Sequence, residues 1–113
     1  MVEGLYGVAF SASNNRFGGG VLVIRDGKAF GGDAQYYYTG TVERSGEQLK
    51  FDIRVRHFHG QAISVFGDSL LDCTVKGTGK VSQDGASFEG QGEMVGKADV
   101  ELTVAAKRLE TLS

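Results

Sequence analysis

The feature that most limits what this chain can become is an alternation of period two, interrupted at short intervals by glycine-bearing turns. Phe51, Ile53 and Val55 alternate with Asp52, Arg54 and Arg56. Leu71, Cys73 and Val75 alternate with Asp72, Thr74 and Lys76, and Val100, Leu102, Val104 and Ala106 alternate with Asp99, Glu101, Thr103 and Lys107. Tyr6, Val8 and Phe10 alternate with the smaller Leu5, Gly7 and Ala9. This is the pattern of strands with one face in a core. Asp26-Gly27, Ser45-Gly46, Asp84-Gly85 and Gly96-Lys97 lie between such runs, and short hairpin loops need the positive φ that glycine tolerates. The pattern predicts an antiparallel meander with strands at 4–10, 17–25, 28–31, 35–44, 47–58, 70–82, 86–95 and 98–108. Eight strands with short connections suffice to close an up-and-down, lipocalin-like β-barrel without exposed sheet edges.

Composition supports this all-β reading. The chain has 113 residues, with 18 glycines and no proline, roughly twice the ordinary glycine share of about 7%. Several glycines fall inside the predicted strands, where a tightly coiled barrel needs bends. Proline would remove a ladder donor from a closed sheet. The length fits one domain over residues 1–113.

A net charge of −2 supplies no cation excess for displacing counterions from a nucleic acid. The opening Met1-Val2-Glu3-Gly4-Leu5-Tyr6-Gly7 carries an acid where a signal peptide carries bases. No apolar run has the length of a membrane helix. The single cysteine cannot form an internal disulfide. A cytoplasmic protein with neither membrane nor direct nucleic-acid partners is expected.

Two segments depart from simple alternation. Val21-Leu22-Val23-Ile24 is apolar on both faces, as expected where a strand is covered outside as well as inside; a homodimer using this strand is the expectation. The longest connection, 60–68, carries Ile63, Val65 and Phe66. It is expected to form a lid over a barrel mouth, with a patch offered to a partner as the alternative.

Candidate chemistry is sparse. His57 and His59 stand two apart and could share one side of a sheet as metal ligands, with Cys73 as a third. Rim histidines where the strand leaves the barrel, and a buried thiol behaving as a small hydrophobe, account for them better, so no metal and no cofactor is expected. Gly18-Gly19-Gly20 and Gly31-Gly32-Asp33 lack the following helix that a phosphate loop needs, and strand kinks explain them better. Tyr36-Tyr37-Tyr38 beside Arg54 and Arg56 could stack single-stranded nucleic acid, but packing is the simpler account. Glu89 with Glu93 and Asp99 with Glu101 read as solvated outer positions. Tyr36, Tyr38, His57 and Phe88 are candidates to line a lumen, which is either hollow or filled by its own side chains.

The run Gly4-Leu5-Tyr6-Gly7-Val8-Ala9-Phe10, then Gly18-Gly19-Gly20-Val21-Leu22-Val23, Gly31-Gly32-Asp33 and Tyr37-Tyr38-Thr39-Gly40-Thr41-Val42, resembles the GrlR family of small bacterial regulators. Phe88-Glu89-Gly90-Gln91-Gly92 and Val100-Glu101-Leu102-Thr103-Val104 are similar to that family's ending. The resemblance implies a dimeric barrel that acts without catalysis, as a negative regulator binding a transcriptional activator protein. It places the partner-binding loop at the turn after Val42. Here that turn reads Glu43-Arg44-Ser45-Gly46-Glu47, with a base between its acids rather than an unbroken acidic run. A non-catalytic regulator is thus the leading expectation, with a small-molecule carrier or sensor as the alternative.

Overall fold

The computed structural model describes residues 2–13, 17–60, 63–64, 67–68, 72–95 and 97–112. Its strands are β1 (Gly4–Ala12), β2 (Phe17–Arg25), β3 (Lys28–Gly32), β4 (Tyr36–Ser45), β5 (Gln48–His57), β6 (Ile63–Ser64), β7 (Gly67–Asp68), β8 (Asp72–Val81), β9 (Ser87–Met94) and β10 (Lys97–Glu110). All but β6 and β7 form one closed antiparallel barrel in the order β1-β10-β9-β8-β5-β4-β3-β2. The chain is all-β, and each barrel strand pairs with its neighbour in sequence, with β1 and β10 closing the cylinder. The eight expected strands are therefore present, with ends shifted by at most two residues. The additional β6–β7 hairpin, which begins at Ile63, lies within the β5–β8 connection; Val65 and Phe66, the other apolar residues of the expected lid, lie outside the described residues.

Turn chemistry sets the registers. Asp26 and Gly27 both have positive φ, 52° and 77°, as a two-residue hairpin loop of mirror-image type requires. Arg25 then faces Lys28, and every later β2–β3 pair follows from it.

The inward faces carry the core. Tyr6, Ile24 and Leu49 are completely enclosed at one end, the base, with Val2, Ala29, Val81 and Ala106 also buried. Inward positions on β8 and β9 include Gly77, Gly79, Gly90 and Gly92, paired as Gly77 with Gly92 and Gly79 with Gly90. A methyl group at Gly77 would overlap the Gln91 carbonyl and lie 2.5 Å from Phe51 Cζ. The missing side chains let β8 and β9 curve closely and give the Phe51 ring a place to lie against the wall.

The outer faces differ sharply. Across β5, β8 and β9 the register sets Asp52 beside Lys76 beside Glu93, and Gln48 beside Lys80 beside Glu89. Lys76 Nζ is 3.6 Å from Asp52 Oδ2; such exposed pairs contribute little to stability but keep this face hydrated. Across β1, β2 and β3 the facing rows are Leu5, Val23, Phe30 and Gly7, Val21, Gly32, without a charge. Leu109, at a register shift in the β1–β10 pairing, covers Gly7 at 3.4 Å from where a Cβ would stand.

Candidate functional site

The barrel is hollow towards the end opposite the base. A cavity of about 450 Å³ is enclosed by inward side chains of β1, β2, β4, β5, β8, β9 and β10, among them Phe10, Leu22, Val42, Phe51, Val75 and Val104. Phe88 lies at its floor and packs on Tyr6, ring centroids 5.3 Å apart. Its other end reaches Phe17, which is 79% exposed, and the Asp33–Gln35 connection between β3 and β4. Among the described residues, the lumen therefore opens at this mouth and is sealed at the base.

The base is sealed by polar groups as well as packing. The Tyr6 hydroxyl donates to the Gly85 carbonyl at 2.7 Å, joining β1 to the β8–β9 connection. Burial pushes the Tyr6 phenol above its usual range. Arg44, on β4, donates from Nε to the Gly46 carbonyl at 2.8 Å and from its terminal nitrogen towards the Ser82 and Gln83 carbonyls. Arg108 reaches the Glu3 carbonyl. The Tyr6 bond to Gly85, the Arg44 bonds to Ser82 and Gln83 and the Arg108 bond to Glu3 each join segments distant in sequence.

The mouth is organised around Asp33. Its Oδ1 accepts the Gln35 and Tyr36 backbone N–H groups at 2.9 and 2.8 Å, and its own N–H donates to the Tyr36 carbonyl at 2.9 Å. An aspartate side chain commonly shapes a turn in this way by bonding the backbone just ahead of it. The Tyr38 hydroxyl donates to Asp33 Oδ2. Burial, and then the bond to Asp33 and its charge, hold the Tyr38 phenol far above the ordinary tyrosine range, so it stays a neutral donor. Phe10 packs edge-on to Tyr38 at 5.8 Å. Gly20 leaves room for the hydroxyl, since a Cβ there would stand 3.2 Å from it. The lip is pinned to the end of β5, where the Phe58 and His59 N–H groups donate to the Gln35 carbonyl at 2.9 and 3.3 Å.

Of the residues expected in a lumen, Tyr36, Tyr38 and Phe88 line this cavity, and His57 does not. β5 ends at His57, and its Nε2 lies 2.8 Å from the Gly60 carbonyl while its ring packs on Tyr36 at 5.5 Å. His59 lies beyond the strand and is exposed, so the alternation that would place both imidazoles on one face stops short of it. Among the described residues no three His, Cys, Asp or Glu side chains gather as a metal site. Cys73 is buried on β8, and burial, with the nearby Asp72 charge, pushes its thiol up to about 11. Such a thiol is mostly protonated and a weak nucleophile at neutral pH.

The outward candidates are also redistributed. Of Val21, Leu22, Val23 and Ile24, Leu22 and Ile24 point inward and are buried, so they are unavailable to a partner; Val21 and Val23 occupy the outer face. Tyr37 faces outward opposite Arg56, and packs on Phe58 at 6.3 Å. Arg54 and Arg56 both turn to Asp72, at 3.3 and 3.9 Å. Glu43 and Glu47 are exposed, whereas Arg44 between them is drawn to the basal carbonyls.

Sequence reasoning missed Asp33 as the residue that shapes the mouth. The signal was local: an aspartate after two glycines and before the next strand is well placed to bond the backbone ahead of it.

No protein-family model matches the chain, and no curated protein matches its sequence. The site itself therefore carries the functional reading.

Proposed function

We propose that this chain is a non-catalytic binding protein whose barrel takes up one small, largely apolar molecule. The observation that carries this reading is the apolar cavity of about 450 Å³, sealed at the base and open at the Asp33 mouth. Small-molecule sites have volumes of roughly 300–1,000 Å³, apolar walls and a few placed polar groups. A barrel of eight strands is wide enough either to be filled by side chains or to hold one small ligand. The inward glycines of β8 and β9, which bring no side chains, favour the second. Titration with Nile red, a neutral apolar dye, is expected to give saturable blue-shifted emission at one dye per chain. Emission that never saturates, or that is unchanged by protein, would overturn the reading.

A homodimeric regulator acting on an activator protein, as the GrlR resemblance implies, is a second reading. It is favoured by the apolar outer rows of β1–β3, where Phe30 is 52% and nearby Leu109 55% exposed. Patches of this kind mark interaction surfaces. The acidic pair Glu43 and Glu47 supports a protein contact at the base, since Arg44 is engaged elsewhere. Light scattering is expected to give a two-chain mass at micromolar concentration, and V21D to halve it. A one-chain mass for the unaltered protein refutes the dimer.

A further inference from the structure

Resting on the lumen reading above, we infer that the cavity selects its ligand by head-group charge: it admits neutral or cationic amphiphiles and rejects carboxylates. The described lining residues contain a single formal charge, the Asp33 carboxylate, and no lysine, arginine or histidine. A ligand whose apolar body fills the lumen must leave its polar end at the mouth, beside that carboxylate.

The described donors of the Asp33 turn are already committed. A fatty-acid anion needs hydrogen-bond donors or a cation for its carboxylate, because an unpaired charge near an apolar site is costly. The phenol of Tyr38 has one proton to donate, and it is directed to Asp33 Oδ2. The Gln35 and Tyr36 N–H groups are taken by Asp33 Oδ1, and the Asp33 N–H by the Tyr36 carbonyl. The Gln35 side chain, which lines the same opening, carries both donor and acceptor and brings no charge. The rim thus presents a negative carboxylate with its nearest donors turned towards it. A ligand hydroxyl or ammonium donates to that carboxylate; a ligand carboxylate meets like charge. At separations of a few ångströms such repulsion amounts to about ten-fold or more in affinity, even with an effective dielectric as high as ~20.

The test uses three ligands with one tail: decanol, decylamine and decanoate, each competing against bound Nile red at neutral pH and below its micelle concentration. Decanoate is expected to bind at least about ten-fold more weakly than decanol, and decylamine at least as tightly as decanol. D33N is expected to bring decanoate to within about three-fold of decanol. Higher ionic strength in the unaltered protein is expected to narrow the same gap, since the charge sits at a solvent-facing mouth; this arm does not depend on how D33N folds. Decanoate binding as well as decanol, or a gap that neither salt nor D33N changes, overturns the selectivity. Failure of the dye and all three ligands to bind refutes the lumen reading itself, and this inference with it.

Discussion

Tyr6 and Tyr38 are two buried phenols inside one cylinder, and they serve opposite ends of it. At the base, Tyr6 packs against Phe88 and donates to the carbonyl of Gly85, so its hydroxyl closes a seam between strands distant in sequence. At the mouth, Tyr38 lines open space and donates to a carboxylate on a three-residue connection. The comparison teaches that alternation alone sends a side chain inward, while what the inward side chain meets depends on how many of its neighbours are glycine. Large residues crowd the base, whereas Gly20, Gly77, Gly90 and Gly92 thin the walls of the upper half.

The comparison breaks most visibly under truncation of matched isoleucines. I24A at the base is expected to cost about 2–5 kcal/mol, the range for a fully packed aliphatic side chain. I53A, on the half-buried lining of the lumen, is expected to cost about 1–2 kcal/mol, because part of the space it vacates is already cavity. Urea unfolding of the two variants measures this, and equal losses would mean the upper half is as tightly packed as the base.

A smaller effect separates the two tyrosines. Y6F leaves the buried Gly85 carbonyl without its donor and is expected to lose about 1–3 kcal/mol. Y38F is expected to lose less than about 1 kcal/mol, because Asp33 retains its backbone donors and some access to water, while weakening dye binding through a looser lip. A Y38F loss matching that of Y6F would show that the mouth is structural.

The smallest effect is alkaline. Burial raises the Cys73 thiol from its ordinary 9.0 to about 11. Between those values the unfolded chain has released the proton and the folded chain has kept it, so stability falls as pH rises and is unaffected below. The decline is on the order of 1–2 kcal/mol across that window, with Tyr6 and Tyr38, both raised, adding to it above about pH 10. Melting temperature against pH should fall less steeply in C73A over this range; an unchanged slope would place the thiol in contact with water.

Much of the architecture was legible because period two is a property of consecutive residues. The Asp26-Gly27 turn and the Phe51 to Val55 alternation name the strand faces without any knowledge of neighbours. The hollowness was not legible. It arises where Phe51 lies against Gly77, Gly90 and Gly92, residues brought together by register across two strands. His57 shows the limit of extrapolation, since its phase was inward but the strand ended there. Arg44 shows another: between two acids in sequence it reads as a neutralising charge, yet its guanidinium is spent on basal carbonyls.

The pairing of β1 with β10 sets Leu5 opposite Glu110, which orders events during synthesis. Most of the meander can form hairpin by hairpin as the chain emerges, but the cylinder cannot shut until its final strand is released. Until then β1 and the incomplete sheet present unpaired edges, together with the lining that later becomes the lumen. Closure across so long a stretch of chain is slow relative to local pairing, and open edges of this kind invite association with other chains. A nascent chain truncated before β10 is thus expected to aggregate more readily than the closed barrel.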